Sequence, residues 1–172
     1  ADGYFAFENN NPNAALIHFL EYHYHLGYVY FKLGDYELAL TAFEKVIRNQ
    51  KHYSRSKALD AYLRMGDSEF ALSRFWPAME HYNQAISMSP AQSDYALYQK
   101  AISYGFVDRI PQKISSLESL IEKHPSSAYL DDAHFELSSA YAVANAFDTA
   151  ISNYDRLIRS FPKSPYRPRA IL

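Results

Sequence analysis

The chain has 172 residues, with 17 basic and 19 acidic side chains and a formal net charge of −2 at pH 7. Its apolar fraction of 48% is enough for a substantial core, and the absence of cysteine excludes disulfides, thiolate metal sites and a thiol nucleophile. The charge balance lacks the positive field that nucleic-acid binding requires, and no apolar stretch is long enough to span a bilayer.

A pair of small residues twelve positions apart recurs along the chain, and its first occurrence is Gly3 with Ala15. This partial repeat, residues 1–19, meets the next copy at Gly27 after only 24 residues, which is too short for a full helical repeat. Either one long helix runs through the junction after Leu20, or residues are missing there. We favour missing residues because no turn signal separates the two segments.

Four full copies follow, at residues 20–58, 59–93, 94–130 and 131–164. Small residues where two helices cross, large apolar residues around them and proline at the boundary predict antiparallel helix pairs. Residues 165–172 predict the start of a further helix. The paired positions, whose first members are 39, 35 and 37 residues apart, are Gly27 and Ala39, Gly66 and Ala78, Ala101 and Lys113, and Ser138 and Ala150.

Local signals predict the turns inside the pairs. Gly34 and Asp35 predict a turn in the first full copy, and the region of Asn145 predicts one in the last. The dipeptide at 110–111, Ile-Pro, breaks the turn expected in the third copy. Lys113 stands at a packing position, so we expect its stem to lie along apolar surface with the ammonium in water and the helices to splay locally.

The order of small, aromatic, small, aromatic and proline residues resembles the consensus of the tetratricopeptide repeat family over essentially the whole chain. The sequences HPSSAY (residues 124–129) and FPKSPY (residues 161–166) are similar to bacterial envelope members of that family. Those members include the periplasmic protein that accompanies the Tol–Pal system and the lipoprotein of the outer-membrane β-barrel assembly machine.

This resemblance implies an all-α, right-handed superhelical solenoid of antiparallel helix pairs over residues 1–172. It also implies a location in the periplasm, or on the periplasmic face of the outer membrane, of a Gram-negative bacterium. Family members that grip a carboxylate use lysine and asparagine in the concave groove. Tyr24, Leu63 and Tyr98 stand at those positions here, so a carboxylate clamp is not supported.

The first helix of each pair lines the concave groove in this family, and residues at i, i+3 and i+7 face it. Aromatic side chains among carboxylates suit a peptide segment or helix, because tyrosine supplies contact area at low entropic cost. The alternative is that these tyrosines pack against neighbouring first helices. The predicted partner-binding positions are Glu21, Tyr24, Tyr28, Asp60, Leu63, Asp67, Tyr95, Tyr98, Ile102, Asp132, Phe135 and Ser139.

Neither a catalytic site nor a metal or cofactor site is predicted. No two of the seven histidines are four residues apart, and His23 and His134 fall on the packing face at equivalent repeat positions. Asp131 and Asp132 precede a helix and are typical of a helix N-terminus. The sequence has no serine in a nucleophile elbow and no glycine-rich phosphate loop.

We therefore expect a non-catalytic scaffold or adaptor that binds a peptide segment or helix of another protein. Two alternatives remain: a helical domain that positions a larger enzyme or transport assembly, and a self-assembling structural array. Both ends lack the polar capping helix that solenoids need for solubility. This favours a piece of a longer array, with self-association through the uncapped ends.

Overall fold

The computed structural model describes residues 12–52 and 54–171, and within them the regular elements are all helices, as predicted. The chain divides into two compact units, residues 1–88 and residues 89–172. The first unit contains α1 (Pro12–Leu33), α2 (Tyr36–Arg48), α3 (Arg55–Ala71) and α4 (Phe75–Met88). The second contains α5 (Asp94–Phe106), α6 (Ile110–Lys123), α7 (Leu130–Val143), α8 (Phe147–Ser160) and α9 (Arg167–Ile171).

Helices that follow one another in the chain pack as pairs. In the first unit α1 packs on α2 and α3 packs on α4, while α2 and α3 join one pair to the next. In the second unit α5 packs on α6 and α7 on α8, α6 joins the pairs by packing on α7, and the short α9 packs on α8. Each unit is therefore built from two helix pairs in contact.

A left-handed residue ends the first helix of every pair. These residues are Gly34, Ser73, Asp108 and Asn145, with φ of 82°, 59°, 55° and 59°. In each case the amide of the following residue donates to a carbonyl five residues back, as Asp35 does to Tyr30 at 2.9 Å and Ala146 does to Tyr141 at 2.9 Å. This bond satisfies a carbonyl that the helix end leaves free and reverses the chain within three residues.

The third turn corrects one sequence expectation. The Ile-Pro dipeptide at residues 110–111 does not break the turn, because Asp108 adopts the left-handed conformation and Arg109 donates to the carbonyl of Tyr104 at 2.9 Å. Pro111 falls in the first turn of α6. Proline is tolerated there because the amide it lacks would have no partner inside the helix.

An aromatic ring from the second helix lies over a glycine of the first helix in both pairs of the first unit. A Cβ placed on Gly27 would lie 2.7 Å from the ring of Phe43, and one placed on Gly66 would lie 2.5 Å from the ring of Tyr82. Both rings are fully buried. The small residue therefore makes room for a ring sixteen positions later, in addition to allowing the helices to approach.

Lys113 is also placed differently from the expectation. Its Nζ lies 2.5 Å from Glu136 of α7 and its side chain is only 13% exposed, so the ammonium is not in open water. The lysine stem passes close to Gly105, where an added Cβ would lie 3.4 Å from it. The ion pair to the next helix pair accommodates this residue.

The junction after Leu20 is continuous. α1 is a single helix of 22 residues that runs from Pro12 to Leu33 without a turn. Our preference for missing residues was therefore wrong for the described structure, and the alternative of one long helix applies. Leu20 is fully buried within this helix. The predicted partial repeat at residues 1–19 includes Gly3, which lies outside the described residues.

We predict that Gly27→Ala lowers the free energy of unfolding by about 1–3 kcal/mol, because the new methyl group collides with the buried ring of Phe43. Gly105→Ala is the matched control, since the neighbouring Lys113 side chain can move and alanine favours helix. Urea unfolding followed by circular dichroism measures both. Equal stability of the two variants would show that the ring contact is not a packing constraint.

Candidate functional site

Two tyrosines of α1 converge on one carboxylate of α3. The hydroxyl of Tyr24 donates to Oδ2 of Asp60 at 2.8 Å, and the hydroxyl of Tyr28 donates to the same oxygen. Burial, with the Asp60 carboxylate, raises the pKa of Tyr24 and raises the pKa of Tyr28 to about 12. Both hydroxyls therefore stay protonated at physiological pH and hold their rings in fixed orientations over half-buried surface.

The carboxylate of Glu21 is paired across the same two helices. Nζ of Lys57 on α3 lies 2.6 Å from Glu21, and the same ammonium sits 5.4 Å from the ring centre of Tyr24. His25 also approaches Glu21, with Nε2 at 3.5 Å from the carboxylate. The carboxylate predicted at this position thus belongs to an ion pair.

Arg64 links the remaining acids of this surface. Its guanidinium lies 2.6 Å from Asp67 and 3.6 Å from Asp60, both on α3. The hydroxyl of Tyr82 donates to Asp67 at 2.9 Å, which ties the network to α4. Leu63, between these acids, is half-buried.

The first unit therefore brings its predicted site residues together as one hydrogen-bonded surface. We name this set, with Lys57 and Arg64 added, the tyrosine–aspartate surface: Glu21, Tyr24, Tyr28, Lys57, Asp60, Leu63, Arg64 and Asp67. The two basic residues were missed from the sequence. Their signal was present, since basic and acidic residues alternate at i, i+3, i+7 and i+10 along α3. The surface carries both signs of charge rather than free carboxylates.

We predict that Asp60→Ala lowers the free energy of unfolding by about 1–3 kcal/mol, because two half-buried tyrosine hydroxyls lose their acceptor. Asp155→Ala, at an exposed position of α8, changes it by less than about 0.5 kcal/mol. Thermal or urea unfolding of both variants provides the measurement. An Asp60 variant as stable as the Asp155 variant would contradict the network.

In the second unit the predicted tyrosines of α5 contact a tyrosine from the loop before α7. The ring of Tyr129 stacks on Tyr98 at 5.5 Å with an interplanar angle of 16°, and it lies 5.6 Å from the ring of Tyr95. Burial, followed by the charge of Asp132, raises the pKa of Tyr98. Ile102, the third predicted residue of α5, is half-buried.

The predicted residues of α7 are covered in the same way by Tyr166, which precedes α9. Its ring stacks on Phe135 at 4.6 Å, and its hydroxyl donates to Asp132 at 2.6 Å. Arg169 lies 4.6 Å over the Phe135 ring. Phe135 is only 7% exposed, so a partner cannot reach its ring without moving Tyr166 or Arg169. Ser139 instead hydrogen-bonds the hydroxyl of the α8 residue Tyr154 at 2.9 Å.

The HPSSAY and FPKSPY sequences position these two covering tyrosines. Ser127 Oγ accepts from the amide of Tyr129 at 3.1 Å, and Ser164 Oγ accepts from the amide of Tyr166 at 3.2 Å. A serine two residues before the tyrosine closes a local turn that directs the following ring. Ser127 also donates to Asp94 at 2.7 Å. The motifs were noted in the sequence, but this role was not predicted.

His134 is buried between α6, α7 and α8, beside an open cleft of about 370 Å³. Its Nδ1 has no hydrogen-bond partner among the described residues. Glu118 and Glu122 line the cleft from α6, and Arg156 lines it from α8. Burial, reinforced by the positive charge of Arg156, lowers the pKa of His134 below its ordinary value of 6.5. His23 is likewise buried, as its packing position predicted.

We predict that the chain loses stability as the pH falls through about 6.5, because the unfolded state then takes up a proton that folded His134 resists. His134→Gln reduces this pH dependence, whereas Asn83→Gln, at an exposed position of α4, leaves it unchanged. Urea unfolding at about pH 7.5 and about pH 5.5 tests both variants. The same loss of stability in His134→Gln as in the native chain would assign the effect to other groups.

Comparison with known proteins assigns the repeats. Models of the tetratricopeptide repeat match residues 12–91 and residues 132–164. The chain therefore contains tetratricopeptide repeats, and the all-α fold is that of a tetratricopeptide-type solenoid. Comparison with curated protein sequences gives no match.

Solved structures share this fold at low sequence identity. MamA residues 41–end from Desulfovibrio magneticus RS-1 superposes with a TM-score of 0.69 at 18% identity, covering 91% of this chain and 89% of that one. The apo form of RapI superposes with a TM-score of 0.71 at 12% identity, covering 90% of this chain and 66% of that one. Kinesin light chain tetratricopeptide-like repeats from Podosopora anserina superpose with a TM-score of 0.67 at 16% identity, covering 88% of this chain and 81% of that one.

At these identities the solved structures show a shared fold. Among the residues that the structure describes, no helix is both long and apolar enough to cross a membrane. Within the same residues, no group of three or more histidine, aspartate or glutamate side chains is arranged to hold a metal ion.

Proposed function

We propose that the chain is a non-catalytic adaptor that binds a peptide segment or helix of another protein on the tyrosine–aspartate surface. The observation that carries this proposal is the shared acceptor Asp60, which fixes the half-buried rings of Tyr24 and Tyr28 in the unbound chain. Rings held in place lose little conformational entropy on binding, and tyrosine is enriched among residues that dominate interface energies.

Charge indicates the kind of segment that fits. Lys57 and Arg64 alternate with the acidic residues, and both cations already contact carboxylates. A partner with residues of both signs can exchange these ion pairs without leaving a charge unpaired, whereas a purely acidic or purely basic segment cannot. We therefore propose a partner segment that carries an apolar or aromatic anchor beside residues of both charges.

The stacked tyrosines of the second unit form a second, weaker candidate surface. Tyr98 lies half-buried against Tyr129, which leaves part of both rings open to a partner. Phe135 is already covered, so its contribution to binding is smaller than the sequence predicted. We propose that Tyr98, rather than Phe135, is the anchor in this unit.

We further propose a bacterial cell-envelope location, which rests on the similarity of the HPSSAY and FPKSPY segments to envelope members of the family. Two rival functions remain proposals. The repeats could position the catalytic part of a larger enzyme or transport assembly, or they could build a self-assembling array.

The adaptor proposal is tested by selecting binders from a displayed library of short random peptides on the native chain. We predict that Tyr28→Ala weakens the selected peptides about tenfold or more, because truncating a central aromatic anchor costs roughly 1.4 kcal/mol or more. Tyr98→Ala weakens those that bind the second unit by a similar factor. Fluorescence polarisation with a labelled peptide supplies the dissociation constants.

Tyr62→Ala is the matched control. Tyr62 is a half-buried tyrosine of α3 whose ring faces His81 of α4 at 6.3 Å, away from Asp60 in the helical register. Its removal should leave peptide affinity within twofold of native. Peptides that bind the Tyr28 and Tyr98 variants as tightly as the native chain, with unchanged helix content, would refute use of these surfaces.

A further inference from the structure

One face of α1 carries a row of large apolar side chains that other described helices leave uncovered. The row, which we name the outer seam, has members separated by three, four, three and four residues. It runs for about 21 Å along the helix at 1.5 Å per residue. Leu26 is half-buried and the other members are exposed. The outer seam consists of Phe19, Tyr22, Leu26, Val29 and Leu33.

In the other first helices, the residues equivalent to Tyr22 and Val29 are small and buried. Tyr22 and Val29 are 62% and 53% exposed, whereas their equivalents in α3, Ala61 and Ser68, are both 0% exposed. In α7 the equivalent residues are Ala133 and Ala140, again small and buried. Within each unit the later first helix packs on the second helix of the preceding pair. In the first unit Ala61 lies in one buried cluster with Ala39, Leu40 and Val46 of α2.

Side-chain size therefore distinguishes α1 from α3 and α7. Alanine and serine let α2 lie close on α3, since facing side chains must be small where helices stack tightly. A helix pair stacked on α1 at the same distance would collide with Phe19 and Tyr22. Apolar residues at alternating spacings of three and four instead form the seam along which two helices interdigitate at a larger separation.

We propose that the outer seam pairs with the outer seam of a second copy of this chain, antiparallel and about a two-fold axis. The seam contains no charged residue, so it is complementary to itself. The net charge of −2 per chain gives little repulsion between copies. Pairing the two seams with their flanking atoms buries on the order of 1,000 Å² in total, near the lower limit for a specific interface.

The helix dipole of α1 favours the antiparallel direction. The amino end of a helix carries a partial positive charge and its carboxyl end a partial negative charge. An antiparallel pair runs the two helix dipoles in opposite directions, whereas a parallel pair sets like partial charges side by side.

This pairing is independent of peptide binding. The tyrosine–aspartate surface uses Glu21, Tyr24 and Tyr28, which face α3. The outer seam lies on another side of the same helix. Loss of dimerisation therefore leaves peptide affinity unchanged, and the two proposals fail separately.

Sedimentation equilibrium and light scattering of the 172-residue chain over a concentration series test the proposal. The mass should rise from 19.8 kDa towards twice that value as concentration increases. Combined Tyr22→Lys and Val29→Lys should raise the dissociation constant about tenfold or more, with helix content unchanged because both positions are exposed. Phe147→Lys with Ile151→Lys, equally exposed on α8, is the control and should leave the dimer intact.

A cross-linking experiment tests the direction, since the chain has no cysteine of its own. Leu26→Cys lies near the two-fold axis and should form a disulfide between copies under oxidation. Leu33→Cys should not, because antiparallel pairing separates the two sulfurs by roughly 20 Å. Equal cross-linking at both positions would overturn the antiparallel arrangement. A chain that stays monomeric would overturn the proposal. A dimer whose dissociation constant is unchanged in the lysine variant would also overturn it, because another surface would then form the dimer.

Discussion

The ring of a second helix lying over a glycine of the first helix is the contact on which the pairs of the first unit depend. Phe43 over Gly27 and Tyr82 over Gly66 occupy the space that any other residue's Cβ would take. The rings of Tyr24 and Tyr28 flank Phe43, at ring-centre distances of 6.2 and 5.7 Å, so the tyrosine–aspartate surface begins at the edge of this contact. The outer seam lies on another side of α1.

Much of the fold was predictable because its causes are local. The spacing of small and large residues identified the helix pairs, and Gly34 and Asn145 indicated two turns directly. Ser73 and Asp108 were not recognised, because a non-glycine residue adopts the left-handed conformation only when the surrounding helix end supplies the compensating bond. The turn therefore depends on the repeat more than on the residue that occupies it.

The candidate site was less predictable because it depends on contacts between helices far apart in the chain. Helical spacing placed Glu21, Tyr24 and Asp60 on the predicted binding face of their helices. It could not show that two tyrosines share the Asp60 carboxylate, which lies 32 and 36 residues away in the chain. Neither could it show that Phe135 is covered by Tyr166. The structure shows Tyr24 and Tyr28 packed between neighbouring first helices, and their use by a partner is a proposal.

The serine and tyrosine of each loop give the repeat a natural boundary that differs from the one at proline. Tyr129 completes the surface of α5, and Tyr166 completes that of α7, although each lies four residues after a boundary proline, Pro125 or Pro162. A chimaera cut at Pro125 or Pro162 would separate a helix pair from the ring that covers it. Modules exchanged between proteins of this kind should instead carry the Ser-x-Tyr loop with the preceding pair. Each transplanted pair then keeps the tyrosine that covers its first helix.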